Sequence, residues 1–146
     1  MDIQLITQDL LQELHDKAKA SHRLRVYFDF RNKPDDTSQR MLNVMEAGTV
    51  VAIHRHLKTS ETVVCIEGCI DWIFYEELPS MDNGGMVHDG EIAVDERQFV
   101  EVVRVRVCPR EGVYGIQVPK GTWHSVIVHE PSTTVEAKDG KYVRKK

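Results

Sequence analysis

The chain has 146 residues, of which 41% are hydrophobic, and a formal net charge of −4 at pH 7. This length suits one domain with a buried core, and the interspersed charges form no basic stripe of the kind that binds nucleic acid. The N-terminus lacks the pattern of a secretory signal and no apolar stretch reaches bilayer length, so we expect a cytoplasmic protein that binds neither nucleic acid nor a membrane.

The first predicted element is an amphipathic α-helix within residues 1–22. Apolar residues recur at helical spacing at Leu10, Leu11, Leu14 and Ala18. Thr7 can cap the N-terminus, and acidic residues precede basic ones, as the helix dipole favours. His15 and His22 have no partner at ligand spacing, so we expect surface or packing roles for both.

Residues 23–135 are predicted to form short β-strands. Segments rich in Val, Ile, Phe, Tyr and Thr are separated by Gly, Asn, Asp or Pro, which is typical of a barrel or sandwich. The predicted strands are LRVYFDF, GTVVAIHRH, ETVVCIE, CIDWIFYEE, FVEVVRVRV, GVYGIQV and HSVIVHE. Residues 78–97 are expected to form an extended loop or hairpin in which His88 is mobile and exposed, and residues 136–146 a C-terminal tail.

The segment HRHLKTSE places side chains of metal-binding type inside a predicted strand. In an extended strand, residues two apart face the same side, so His54 and His56 project together with Val50 and Ala52. Glu61 opens the next predicted strand, and its carboxylate can reach the same point as the two imidazoles.

A third histidine follows a predicted turn in the segment VPKGTWHSVIV. Pro119 and Gly121 favour the turn, and His124 opens a new strand. The candidate metal ligands are thus His54, His56, Glu61 and His124. A mixed imidazole and carboxylate set suits a first-row divalent ion and leaves coordination positions for water or substrate. The alternative is that the histidines are hydrogen-bonded core residues and Glu61 an acid at the rim, but such imidazoles are costly to bury in a small barrel.

These residues carry a resemblance to the cupin superfamily. Gly48, five residues, His54-Arg55-His56, four residues, Glu61, six residues and Gly68 match the first cupin motif, and PKGTWH matches the Pro-x-Gly-x-x-His of the second. The chain departs from the pattern in two places. The glycine usually found before the motif's proline is displaced, with Gly112 and Gly115 available instead, and Val128 stands where cupins often have asparagine. Neither departure removes a ligand.

More narrowly, the N-terminal helix, AIHRHLKTSET, GTWHS and VEAKDGKY resemble the WbuC family of small cupin-fold metalloproteins. The resemblance implies a mainly β fold, with an N-terminal α-helix in residues 1–22, a cupin-type double-stranded β-helix (jelly-roll) barrel in residues 23–135 and a tail in residues 136–146. It also implies one divalent transition metal (Fe, Mn, Ni, Co or Zn), a small-molecule ligand and a homodimer. The WbuC family is associated with bacterial surface-polysaccharide (O-antigen) gene clusters, and its reaction is not assigned.

Further side chains are candidates for a substrate pocket above the metal. They are Trp72, Tyr75, Gln117 and Trp123, which present apolar walls or polar tips. The aromatic residues can equally fill the core, because the sequence does not fix which strand face they occupy. Arg55 points away from the ligands by strand alternation, so we expect a pairing or solubility role for it.

Three functions follow from such a site. In the first, the metal acts as a Lewis acid on a sugar or nucleotide sugar, as in isomerisation or epimerisation, although no catalytic acid-base pair is evident. In the second, iron supports dioxygenase-type chemistry on a small molecule. In the third, the protein is a non-catalytic, metal-dependent sugar-binding or accessory module.

Overall fold

The computed structural model describes residues 1–79 and 88–143, and in them the protein is mainly β with one N-terminal helix. The elements are α1 (Gln8–Ala20), β1 (Arg25–Asp29), β2 (Ser38–Met45), β3 (Glu61–Glu67), β4 (Ile70–Glu77), β5 (Phe99–Val107), β6 (Gly115–Val118), β7 (Trp123–Val128) and β8 (Ser132–Asp139). The strands form two antiparallel sheets, in the orders β1-β2-β8-β3-β6 and β5-β4-β7.

The helix begins at the predicted cap and packs on the five-stranded sheet. Thr7 Oγ1 accepts a hydrogen bond from the Leu10 backbone N–H at 3.1 Å, which satisfies one of the donors that a helix start leaves unpaired. The buried face of the helix meets the outer face of β2 in a cluster of Leu11, Leu14, Ala18, Leu42 and Val44. Among the described residues, no helix combines the length and apolarity that crossing a bilayer requires.

The main core lies between the two sheets. Its buried members come from β2 to β7 and include Val63, Trp72, Phe74, Val107 and Val118. Burying apolar side chains of this size stabilises the fold by about 1.5–3 kcal/mol each. The two sheets therefore enclose an apolar layer, and the polar residues described below lie at one end of it.

Two strands differ from the sequence prediction. β2 was not predicted, because one of its faces packs on α1 and the other faces the space between the sheets, so apolar and polar residues do not alternate. β8 (Ser132–Asp139) is not among the predicted strands either, and it pairs with both β2 and β3 over most of its length. Residues 136–139, which were expected in the C-terminal tail, are therefore part of the sheet that carries the site.

His88 is not exposed, contrary to the sequence expectation. Its side chain is 10% exposed and packs against Phe99 and Trp123. Its imidazole contacts the Glu77 carboxylate and accepts a hydrogen bond from the Val94 backbone N–H at 3.0 Å. These contacts hold this part of the connection between β4 and β5 against the sheet, whereas residues 80–87 of the same predicted loop lie outside the described residues.

A buried carboxylate on β4 gives a pH-dependent prediction. Asp71 is 3% exposed and accepts hydrogen bonds from Arg106 Nε at 2.9 Å and His129 Nε2 at 2.8 Å. The Arg106 hydrogen bond, followed by that of His129, lowers the pKa of Asp71 below its usual 3.8, against the opposing effect of burial. Asp71→Asn should therefore lower the free energy of unfolding at pH 7 by about 2 kcal/mol.

The stabilisation from Asp71 is present above about pH 4 and is lost as the pH falls through the lowered native pKa. Urea unfolding of both proteins at several pH values tests this. The curves should separate at pH 7 and converge in acid, and equal stability at pH 7 would show that the carboxylate charge contributes nothing.

Candidate metal centre

Two of the candidate ligands are fixed to each other through their backbones. His54 N–H donates to the His124 carbonyl at 2.9 Å, and His124 N–H donates to the His54 carbonyl at 2.8 Å. Gly121 N–H donates to the His56 carbonyl at 2.7 Å. The segment carrying His54 and His56 is thus held against the start of β7, although the two are far apart in sequence.

The segment before His54 is not the regular strand that was predicted. Among the described residues it pairs only at isolated bridges, Val50 with Ile127 and His54 with His124 and Ile92. Without a continuous ladder the side chains do not alternate strictly, so Val50 is 83% exposed while Ile53 is buried. The prediction that Val50 shares an inward face with the histidines is therefore wrong.

The structure brings three of the four candidate ligands, the histidines, together at one end of the space between the sheets, with Glu61 beside His56. The rings of His54, His56 and His124 have nitrogens that all lie within 4.8 Å of one another, so they could hold a metal ion. Glu61 Oε2 is 3.2 Å from His56 Nε2. His56, His124 and Glu61 are each less than 9% exposed, and His54 is half-buried.

Hydrogen bonds to the backbone orient two of the rings. His54 Nδ1 lies 2.9 Å from the Ala52 carbonyl, and His124 Nδ1 lies 2.9 Å from the Thr122 carbonyl. Because a carbonyl oxygen only accepts, Nδ1 must carry the proton in both rings. In the neutral ring Nε2 then has a lone pair, and this is the form of imidazole that binds a metal.

The spacing of the donors fits a metal ion. Two ligand atoms that each lie about 2.1 Å from an ion at right angles are about 3 Å apart. The distance of 3.2 Å between His56 Nε2 and Glu61 Oε2 agrees with this. Three imidazoles and a carboxylate buried together would be costly without a compensating charge, so the donor set suits a divalent cation.

The cluster lies at the wall of a cavity of about 640 Å³. Of the four pocket candidates from the sequence, Trp72 lines this cavity. The other three are placed elsewhere among the described residues. Tyr75 bonds Ser125 Oγ at 2.8 Å, Gln117 lines a smaller surface cavity, and Trp123 packs against Phe99 and under Arg55.

Arg55 points away from the metal ligands and anchors the chain after residue 87. Its guanidinium carbon is 4.3 Å from the centroid of the Trp123 ring. Its N–H groups donate to the carbonyls of His88 at 2.8 Å and Gly90 at 2.9 Å. These contacts give Arg55 a structural role beside the cluster.

Two cavity residues on β8, Glu136 and Lys138, were missed by the sequence analysis. Burial raises the pKa of Glu136 to about 8, together with a hydrogen bond that protonated Glu136 donates to Glu61 and the negative charge of Glu61. Lys138 Nζ lies 3.4 Å from His56 Nδ1, and Lys138 pairs in register with Glu61. Their spacing of two residues, which places both on one face of a strand, is the available signal, but the sequence predicts a C-terminal tail for residues 136–146.

A second group of possible ligands lies at the far end of β7. Cys69, Cys108 and Glu111 have ligand atoms within 4.8 Å of one another, and nearby Cys65 is also a free, buried thiol. Burial raises the pKa of the Cys65 and Cys108 thiols to about 11. Because a thiol binds metal as the thiolate, this group is a weaker candidate than the histidine cluster.

The family of the chain follows from its sequence profile. Residues 6–84, just over half of the chain, match the family described as Domain of unknown function (DUF6016). The chain belongs to the DUF6016 family. No curated protein matches the sequence of this DUF6016 protein.

Solved structures show the fold of the DUF6016 chain. The capsular polysaccharide assembling protein CapF from Staphylococcus aureus aligns with a TM-score of 0.57 and 14% identity, over 84% of this chain and 30% of CapF. KdgF from Halomonas sp. aligns with a TM-score of 0.53 and 13% identity, over 81% of this chain and 82% of KdgF. Oxalate oxidase in complex with the substrate analogue glycolate aligns with a TM-score of 0.53 and 10% identity, over 84% of this chain and 54% of that protein.

These three proteins have the cupin fold, so the DUF6016 chain has it too. The chain spans about a third of the length of CapF. At identities this low the likeness concerns the fold alone. The cupin fold and the histidine cluster together fit a metal-binding cupin.

Proposed function

We propose that His54, His56, Glu61 and His124 bind one divalent transition metal ion (Fe, Mn, Ni, Co or Zn), and that the site acts as a Lewis acid on a sugar or nucleotide sugar. The observation that carries this proposal is the convergence of three buried or half-buried imidazoles at the wall of one cavity, with the Glu61 carboxylate beside His56. A site that only stabilises the fold does not need such a cavity beside it.

The bound ion would polarise a carbonyl or hydroxyl oxygen of the substrate. The residues of the chain then have separate tasks. His54 and His124 present Nε2 because their Nδ1 atoms are held by backbone carbonyls. Glu136 lies beside Glu61 in the same cavity and is placed to move a proton to or from a bound ligand. Trp72 supplies an apolar wall that excludes water.

The class of substrate rests on the resemblance to the WbuC family, which is associated with surface-polysaccharide gene clusters. It agrees with the description of CapF, a fold neighbour, as a capsular polysaccharide assembling protein. WbuC membership, the homodimer, the cytoplasmic location and the absence of nucleic-acid or membrane partners stay predictions.

Turnover assays test the proposal. Protein purified without added metal is incubated with a panel of sugars and nucleotide sugars, and products are followed by NMR while oxygen uptake is recorded. We expect conversion without oxygen consumption, and loss of conversion in Glu61→Gln even where that variant retains metal. Oxygen consumption would indicate the dioxygenase-type alternative. Ligand binding without any conversion would indicate the non-catalytic module and contradict the Lewis-acid enzyme.

A further inference from the structure

The cavity that holds the histidine cluster carries a second group of charged side chains, on and before β1. Arg23 and Arg25 line the cavity together with Tyr27. On β1 the other face is apolar, since Val26 and Phe28 pack against the helix cluster. Strand alternation therefore places Arg25 and Tyr27 on the same face of β1, and both side chains line the cavity.

Arg25 and Arg23 differ from the other arginine on this wall. Arg31 is neutralised by Asp29, with Nε–Oδ2 at 2.8 Å and Nη2–Oδ2 at 2.6 Å. Within residues 1–79 and 88–143, by contrast, no carboxylate forms an ion pair with the guanidinium of Arg23 or Arg25. Burial and the charge of Arg23 lower the pKa of Arg25, which reflects a half-buried cation beside a like charge.

Two adjacent cations without a protein anion match a ligand with concentrated negative charge. Guanidinium groups bind phosphate oxygens through paired N–H donors, and a phosphate or diphosphate carries more charge at one point than a single carboxylate does. The neighbouring polar groups of Ser21 and Asn43 line the same cavity and add hydrogen-bonding capacity.

The position of the arginines sets a minimum length for the ligand. In the sheet order, β2 and β8 separate β1 from β3, which carries Glu61. With strands about 4.8 Å apart, three spacings place β1 about 14 Å from β3 across the sheet. The register adds six residues along β8, from Ser132 at the level of Arg25 to Lys138 at the level of Glu61, which is about 20 Å at about 3.4 Å per residue. A ligand that contacts both ends must extend by more than one sugar ring, and a cavity of about 640 Å³ is large enough for it.

We propose that Arg25, with Arg23 beside it, binds the phosphate group of a phosphorylated small molecule whose other end reaches the cluster of His54, His56 and His124. This inference rests on the proposed function, because it names the chemical class of ligand for the same cavity. The arginines act as a binding subsite that positions the ligand and do not touch the reacting atoms.

Calorimetric titration of the full chain with inorganic pyrophosphate tests the subsite. We expect Arg25→Gln to weaken pyrophosphate binding by at least tenfold and Arg25→Lys to weaken it less, because lysine keeps the charge but loses the paired donors. The matched control is Arg104→Gln, whose guanidinium pairs with Glu101 on β5 outside the cavity and which should bind like wild type. Circular dichroism melting of each variant checks that it is folded.

Two further arms separate this proposal from the proposed metal site. His54→Ala should lose metal yet retain pyrophosphate binding within about threefold, and the metal content of Arg25→Gln should equal that of wild type. The proposed phosphate subsite would be overturned if Arg25→Gln bound pyrophosphate as tightly as wild type. It would also be overturned if wild type did not bind pyrophosphate at millimolar concentration. Either conclusion holds whatever the metal analysis gives. Malonate binding as tight as pyrophosphate, with the same dependence on Arg25, would overturn the assignment to phosphate.

Discussion

Replacement of His124 by alanine is expected to reduce the metal content of the purified protein from about one ion per chain to near zero. His124 is 2% exposed, and its ring is 4.3 Å from that of His54 and 5.6 Å from that of His56, centroid to centroid. Loss of one of four ligands should weaken metal binding by more than 100-fold, since changing a group that only hydrogen-bonds to a ligand already costs about 10–100-fold. Elemental analysis of protein isolated without added metal measures this.

Two comparisons make the His124→Ala result interpretable. Because His124 is buried, its replacement can also harm folding, so the half-buried His54 is replaced by glutamine in a second variant, which should likewise lose metal. His22→Ala, at an exposed histidine outside the cluster, should keep the metal content of wild type. A chelator should lower the melting temperature of wild type but not of His124→Ala, because binding to the native state stabilises it. Full metal content in both ligand variants would place the ion elsewhere.

Replacement of His15 by alanine is expected to lower the free energy of unfolding by about 3 kcal/mol. His15 is 7% exposed and bridges two carboxylates, with Nδ1 at 3.1 Å from Glu46 and Nε2 at 2.9 Å from Glu67. Thr133 Oγ1 donates to Glu67 at 3.0 Å in the same network. Removing one partner of a buried ionic network leaves the charges of the others uncompensated, which costs about 3–5 kcal/mol. Because Glu67 is partly exposed, we expect a value at the lower end of this range.

The network joins α1 to β2, β3 and β8, so its loss should also release the helix from the sheet. Urea unfolding gives the stability change. Relative to wild type, His15→Ala should increase the rate of amide hydrogen exchange more in α1 than in β4. His22→Ala again serves as the control and should unfold like wild type. If His15→Ala unfolds within about 0.5 kcal/mol of wild type, the bridge does not hold the helix.

The elements that the sequence predicted well are those with one buried face. In α1 the spacing of Leu11, Leu14 and Ala18 and the cap at Thr7 define a single apolar stripe, and β3 alternates buried and exposed residues. The motif spacing also identified residues that the fold brings together, because His54 and His124 are joined by backbone hydrogen bonds and their ring nitrogens lie close to those of His56.

The rest depended on tertiary contacts that a local pattern does not contain. β2 is covered on both sides and so has no alternation, and the segment around Val50 has strand composition but only isolated bridges. Arg25, Glu136 and Lys138 enter the cavity because β1, β2, β8 and β3 are neighbours in one sheet. That order joins strands distant in sequence, so the chemistry of the cavity wall became visible only with the fold.

The central claim is that His54, His56, Glu61 and His124 bind a metal ion. Its most direct test is X-ray absorption spectroscopy of protein that is purified without added metal and whose metal content per chain has been measured. We predict about one transition-metal ion per chain, with imidazole nitrogens and one carboxylate oxygen at about 2.0–2.2 Å, and no metal absorption edge above background in the His54→Gln variant, which should not retain the ion. Protein that is folded but holds no stoichiometric ion, or an ion whose spectrum contains no histidine, would contradict the assignment of His54, His56, Glu61 and His124 as a metal centre.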